Sequence, residues 1–148
     1  MLKPNRIVTE QDLSFYMDEV AEAGIAAVVK SVGTGVSMDD VDHQVEVSST
    51  VANKVVAGFL MQDVVDKDLT KHHLNFHNGE VNKGSKVTLL TKGQITTDQV
   101  DGAVTASGPA YLAANGKVSA TQATNAPRVG TFLTAKDDDG FVRLSVSL

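Results

Sequence analysis

The chain has 148 residues, of which 42% are hydrophobic and 21% charged, with 12 Gly and 3 Pro. That balance excludes a disordered or collagen-like chain and fits one domain around one core. It contains no Cys, which removes disulfides, thiolate nucleophiles and Cys-ligated zinc together. A net charge of -5 repels a phosphate backbone and no Lys/Arg cluster offsets it, so nucleic acid is not an expected partner. The first six residues lack the apolar centre of a secretory signal. The longest apolar run, residues 55–61, is far short of the roughly 18 needed to cross a membrane. The expectation is a soluble chain without a cleaved leader.

In chain order, residues 1–40 read as an N-terminal arm or subdomain and residues 41–148 as a β-rich domain, with no Pro- or Ser-rich linker to separate them. The one predicted helix covers residues 9–22: Thr9 caps it, Asp12 supplies an acidic partner, and Leu13, Tyr16, Met17, Val20 and Ala21 share a face. Gly24 would end it. Residues 25–32 read as a strand ahead of the loop Gly33-Thr34-Gly35. A two-residue period then places Val41, Val45, Val47 and Val51 on one side, with His43 in the same row, against Asp42, Gln44, Glu46 and Ser48. Residues 87–119 predict two short hairpins, turning at Thr91-Lys92-Gly93 and at Asn115-Gly116, and the two units echo each other in sequence. The last hairpin joins residues 128–134 to 141–148 through Asp137-Asp138-Asp139-Gly140, with Val142, Leu144, Val146 and Leu148 facing inward. Many short strands with abundant Val and Thr predict a mainly β fold, a small barrel or sandwich with at most one short helix.

The chemical inventory is thin. His72, His73 and His77, with Asp63, Asp66, Asp68 and Glu80 nearby, are the one cluster resembling a metal site. Residues 67–84, however, are rich in Asn, Lys, Gly and His, and they read as a polar or interface loop rather than a ligand set of diagnostic spacing. A lone His43 on an apolar strand face reads as a hydrogen-bonded core or interface residue. The three Asp at 137–139 do not fit an EF-hand register, because Ala135 and Val146 would occupy ligand positions one and twelve. The Gly33-Thr34-Gly35 stretch lacks the Lys and spacing of a phosphate loop. No G-x-S-x-G elbow occurs, and with no Trp a stacking platform would be thin. The reading is a protein that binds or builds, with no catalytic residues, metal or cofactor.

From Val56 onward, an ordered run of features resembles the head decoration, or cement, proteins of tailed double-stranded DNA bacteriophages. The run comprises Val56-Ala57-Gly58-Phe59-Leu60 leading to Asp63-Val64-Val65, Lys86-Val87-Thr88-Leu89-Leu90-Thr91-Lys92-Gly93, Gly108-Pro109-Ala110-Tyr111-Leu112, Asn115-Gly116-Lys117-Val118-Ser119, Pro127-Arg128-Val129-Gly130-Thr131-Phe132 and Asp138-Asp139-Gly140-Phe141-Val142. The first fifty residues carry no such resemblance. It implies a non-enzymatic virion protein on the outer surface of the head, bound to the expanded major capsid protein and commonly trimeric. An N-terminal arm in such a protein can add a strand to a capsid edge, with Leu2, Ile7 and Val8 as its candidate capsid contacts here. A second expectation is another virion β module, such as a head fibre base, a tail-associated module or a glycan-binding adhesin.

Overall fold

A computed structural model describes residues 1–30, 43–63 and 80–148. The fold is mainly β. Eleven strands form one sheet, and a further pair, β3 (Ala21–Glu22) with β7 (Glu80–Val81), stands apart. The large sheet runs β2 (Tyr16–Met17), β5 (Gln44–Glu46), β4 (Ala26–Val29), β6 (Val56–Asp63), β8 (Val87–Thr97), β13 (Val142–Ser147), β12 (Arg128–Phe132), β10 (Pro109–Leu112), β11 (Val118–Ser119), β9 (Val100–Asp101). It does not close into a barrel. The sheet curls instead, and one hydrophobic core takes Ala26, Val28 and Phe59 from one half and Leu112, Val129, Phe132 and Leu144 from the other.

A second core lies on the other side of β4, β6 and the start of β8, where Ala27, Leu60 and Leu89 meet Met17, Val45 and Val81. β6 is therefore buried on both faces over residues 58–61, which explains why that part of the apolar run does not alternate, whereas Val55 ahead of it is exposed. The far end of the sheet is stitched back to its beginning without strand pairing: Asn115 N donates to Ser48 O at 2.9 Å and Asn53 N to Asn125 O at 3.1 Å. Asn115 and Gly116 both have positive φ, 58° and 68°, as the predicted tight turn requires. A Cβ on Gly116 would lie 2.6 Å from the Ala26 carbonyl oxygen, so the turn is also a packing point.

Strand β8 organises the domain. Leu90 pairs with both Gln11 and Phe59, and Gly93 with both Val8 and Val146. β1 (Ile7–Asp12) thus flanks one side of β8, while β6 and then β13 follow one another along the other. The predicted turn at Thr91-Lys92-Gly93 does not form, since β8 is an uninterrupted strand of 11 residues. Glycine serves there for close backbone approach rather than for reversal: a Cβ on Gly93 would collide with the Ile7 carbonyl oxygen. The sequence echo between the two presumed hairpins is accordingly not a structural repeat.

The predicted helix at residues 9–22 is also absent. Thr9 lies inside β1, and Asp12 Oδ1 accepts from Ser14 N at 2.7 Å, a local turn instead of a helix start. Of the presumed apolar face, Met17 and Ala21 are buried, whereas Leu13, Tyr16 and Val20 are exposed. Pairing with β8 wins over local propensity. The C-terminal hairpin forms as expected, with Gly130 opposite Val146 and Phe132 opposite Leu144. Val142, Leu144 and Val146 are buried, but Leu148 is 47% exposed. It falls beyond Lys92, the last β8 residue that β13 pairs with. In the Val41–Val51 pattern, Gln44–Glu46 alone form a strand among the described residues; Val45 is buried, His43 is exposed, and Val41 and Asp42 lie outside the described residues. Ser48, expected in the polar row, is buried, held by Thr50 Oγ1 at 3.2 Å and by the turn at Asn115.

Candidate interaction surface

The second half of the sheet buries one side against the first core, and among the described residues nothing packs over the other. Ile7, Gln94, Ser145, Thr131 and Pro109 lie opposite one another in a single row across β1, β8, β13, β12 and β10, and directly paired residues share a face. Neighbouring rows set Thr96 beside Arg143, Lys92 beside Ser147 and Tyr111 beside Arg128. The inward rows alternate with these and contain Ile95, Leu144, Val146 and Phe132. Arg128 lies along the outer side, donating from Nε to Gly130 O at 3.2 Å and from Nη2 to Thr131 Oγ1 at 3.0 Å. Arg143 is half-buried, and its guanidinium has no partner among the described residues. Lys92 Nζ comes within 3.8 Å of Glu10 Oε1 at the border, where both side chains are more than half exposed and the attraction is weak.

β1 gives the surface its edge. Among the described residues it pairs only with β8, so its outer N–H and C=O groups are open. Ile7 and Val8 are 50% and 43% exposed, on opposite faces of the strand. Leu2 differs from them: it is half-buried against the first core and bridges to Thr97. The residues around it dock along β8. Lys3 N donates to Thr96 O at 2.9 Å, Lys3 Nζ stands 3.9 Å from the Phe141 ring centre, and the terminal amino group meets Asp98 and Glu22. Thr97, fully buried, ties these pieces together. Its hydroxyl donates to Gly24 O at 3.0 Å and accepts from Gln99 N at 3.1 Å.

The other candidates from sequence do not assemble a reactive site among the described residues. His72, His73, His77, Asp66, Asp68 and the Gly33-Thr34-Gly35 loop lie outside them; Asp63 ends β6 and Glu80 begins β7. Among the described residues no group of three His, Asp or Glu is gathered for a metal ion. Ser14, Tyr16, His43, Gln44 and Lys86 line an open cleft of about 580 Å3. The Ser14 hydroxyl is committed to Asp12 at 2.5 Å, and His43 is not a core histidine, its ring standing 6.4 Å from that of Phe15. The acidic hairpin turn is internally used: Asp137 Oδ1 accepts from Phe141 N at 2.6 Å, and its Oδ2 lies 4.0 Å from Lys3 Nζ. Away from these features, Lys30 Nζ donates to Asp18 at 2.7 Å, which lowers the Asp18 pKa and raises that of Lys30.

Sequence reasoning named Leu2, Ile7 and Val8 as candidates but did not identify the sheet face. A signal for it exists. β8, β10, β12 and β13 contain no Asp or Glu, in a chain with 18 of them, yet they carry Lys92, Arg128 and Arg143.

A search of curated proteins finds no match. A family model described as XM1 gp53 minor capsid protein matches residues 4–146, from the docked N-terminal segment to the last buried residue of β13. The match takes in residues 4–50, for which the decoration-protein resemblance had no counterpart, and agrees with that resemblance at the level of a phage capsid protein. The chain belongs to the XM1 gp53 minor capsid protein family and is a structural protein of the bacteriophage virion.

Proposed function

We propose that this capsid protein is a decoration protein, which binds the major capsid protein on the outer surface of the expanded head and braces the shell against internal DNA pressure. The observation that supports this reading most is β1, an edge strand fixed against β8 whose outer side pairs with no other strand among the described residues, with Ile7 and Val8 exposed. A capsid strand can add to such an edge by main-chain hydrogen bonds, with Ile7 and Val8 as side-chain anchors. Leu2 acts as the lock that holds the edge in place. A pre-ordered edge loses less conformational freedom on binding than a free arm would, so a modest contact per copy suffices. Assembly as a trimer would multiply that contact and cover exposed strand edges against uncontrolled pairing.

The test is heads made without the protein, heated until DNA is released. The proposal expects release at a lower temperature than from complete heads, and recovery when purified protein is added back. Recovery should fail with the double variant Ile7→Lys and Val8→Lys, because charge at an edge discourages strand addition. Equal heat resistance of heads with and without the protein would refute the bracing role.

A further inference from the structure

We infer that the open face of β8, β13, β12 and β10 docks on a carboxylate-bearing surface of another capsid protein, with the Arg143 guanidinium as its central contact. The inference rests on membership of the capsid family and deepens the proposed role by naming a second, distinct grip. A solvent-facing sheet normally mixes charges of both signs. Here the four strands hold three cations and no acid, although the chain as a whole is acidic, and Glu10 of the flanking β1 stands 3.8 Å from Lys92 but reaches neither arginine. Such segregation is what electrostatic complementarity to an acidic partner requires.

The side-chain types agree. Arg and Tyr are enriched in interface cores while Asp and Glu are depleted, and this face carries Arg143 beside Thr96 on one side of the Gln94–Ser145–Thr131 row and Arg128 beside Tyr111 on the other. Arg128 is pre-oriented by Thr131 and the Gly130 carbonyl, so little freedom remains to be lost on binding. Arg143 is half-buried on the sheet with no anion beside it among the described residues. Its planar fork suits a carboxylate in bidentate geometry. Exposed Ile7 and Leu133, at 50% and 40%, border the cations and give apolar area to bury. A two-fold contact between two such faces would oppose cation to cation, which disfavours self-pairing. Three cations in an acidic chain are also too few to hold a nucleic-acid backbone at physiological salt.

The chain has three arginines, Arg6, Arg128 and Arg143, so guanidinium labelling reads the face directly. Phenylglyoxal is applied to the purified protein and to intact virions, and each arginine is quantified by mass spectrometry. In parallel, a carbodiimide joins lysines to carboxylates they touch in the virion. The expected result is that Arg143 and Arg128 react several-fold more slowly in the virion than free, and that Lys92 is joined to Asp or Glu of a different capsid protein. Equal reactivity of Arg143 in both states would overturn the inference. So would protection without a Lys92 junction to another capsid protein, junctions only to copies of this chain, or protection that disappears when heads are emptied of DNA. These readings do not depend on whether the protein lies on the outer surface, so the decoration proposal and this one fail separately.

Discussion

Thr97 offers the sharpest test of how the N-terminal segment is held. Its side chain is fully buried, donates to Gly24 O at 3.0 Å and accepts from Gln99 N at 3.1 Å, with Met1 O a further 3.4 Å neighbour. Thr97→Val keeps the shape but removes the hydroxyl, leaving one buried carbonyl and one N–H without their partner. Each such loss costs about 1–3 kcal/mol, and Gln99 N, nearer solvent, recovers part of its share, so about 2 kcal/mol in total is expected. Thr97→Ser keeps the hydroxyl and deletes one methyl, a loss of about 1 kcal/mol. Urea denaturation measures both. With a slope of about 2 kcal/mol per molar for a domain of this size, the midpoint falls by about 1 M for Val and about half that for Ser. If Ser were the more damaging substitution, the methyl contact and not the hydroxyl node would be holding the junction.

Gly93→Ala should cost about 2 kcal/mol, because its Cβ collides with the Ile7 carbonyl oxygen and forces β1 off β8. Hydrogen exchange should then accelerate across residues 7–12 but not across β12; uniform acceleration would argue against a local effect. Val146→Ala should cost about 2 kcal/mol and Leu148→Ala less than about 0.5 kcal/mol, since the first is 2% and the second 47% exposed. Equal losses in chemical denaturation would place Leu148 in the core. Asp18 has its pKa lowered chiefly by the hydrogen bond from Lys30, so this pair's stabilisation is complete above the ordinary carboxylate value of 3.8 and fades as pH falls through the lower folded value. Lys30, raised by the same bond, loses its share only as pH climbs past 10.5. The difference in melting temperature between wild type and Asp18→Asn should therefore be flat near neutrality and vanish in acid; a difference that grows in acid would refute the pairing.

The mainly β character, the C-terminal hairpin and the Asn115-Gly116 turn were legible because each depends on local chemistry: period-two burial, and a turn that demands positive φ. The failures share one cause. Residues 9–22 present a plausible helical stripe, and nothing nearby in sequence reveals that Ile7–Asp12 will pair with a strand some eighty residues later. Gly93 looked like a turn for the same reason, since close approach of Ile7 is a non-local fact. Leu148 continues a perfect alternation and its N–H still donates to Thr91 O at 3.2 Å, but its side chain lies past the end of the buried row and is 47% exposed, which periodicity does not show. Leu2, Ile7 and Val8 were named as candidate contacts through family resemblance, whereas the cationic face was written in the sequence as missing acids. It is visible only once the four strands are known to be neighbours.

The central claim is tested most directly by sedimenting purified protein with expanded, undecorated heads and, in parallel, with unexpanded proheads. The account predicts saturable binding to expanded heads alone, at a fixed ratio to the major capsid protein. Failure to bind expanded heads, or equal binding to both particles, would contradict it.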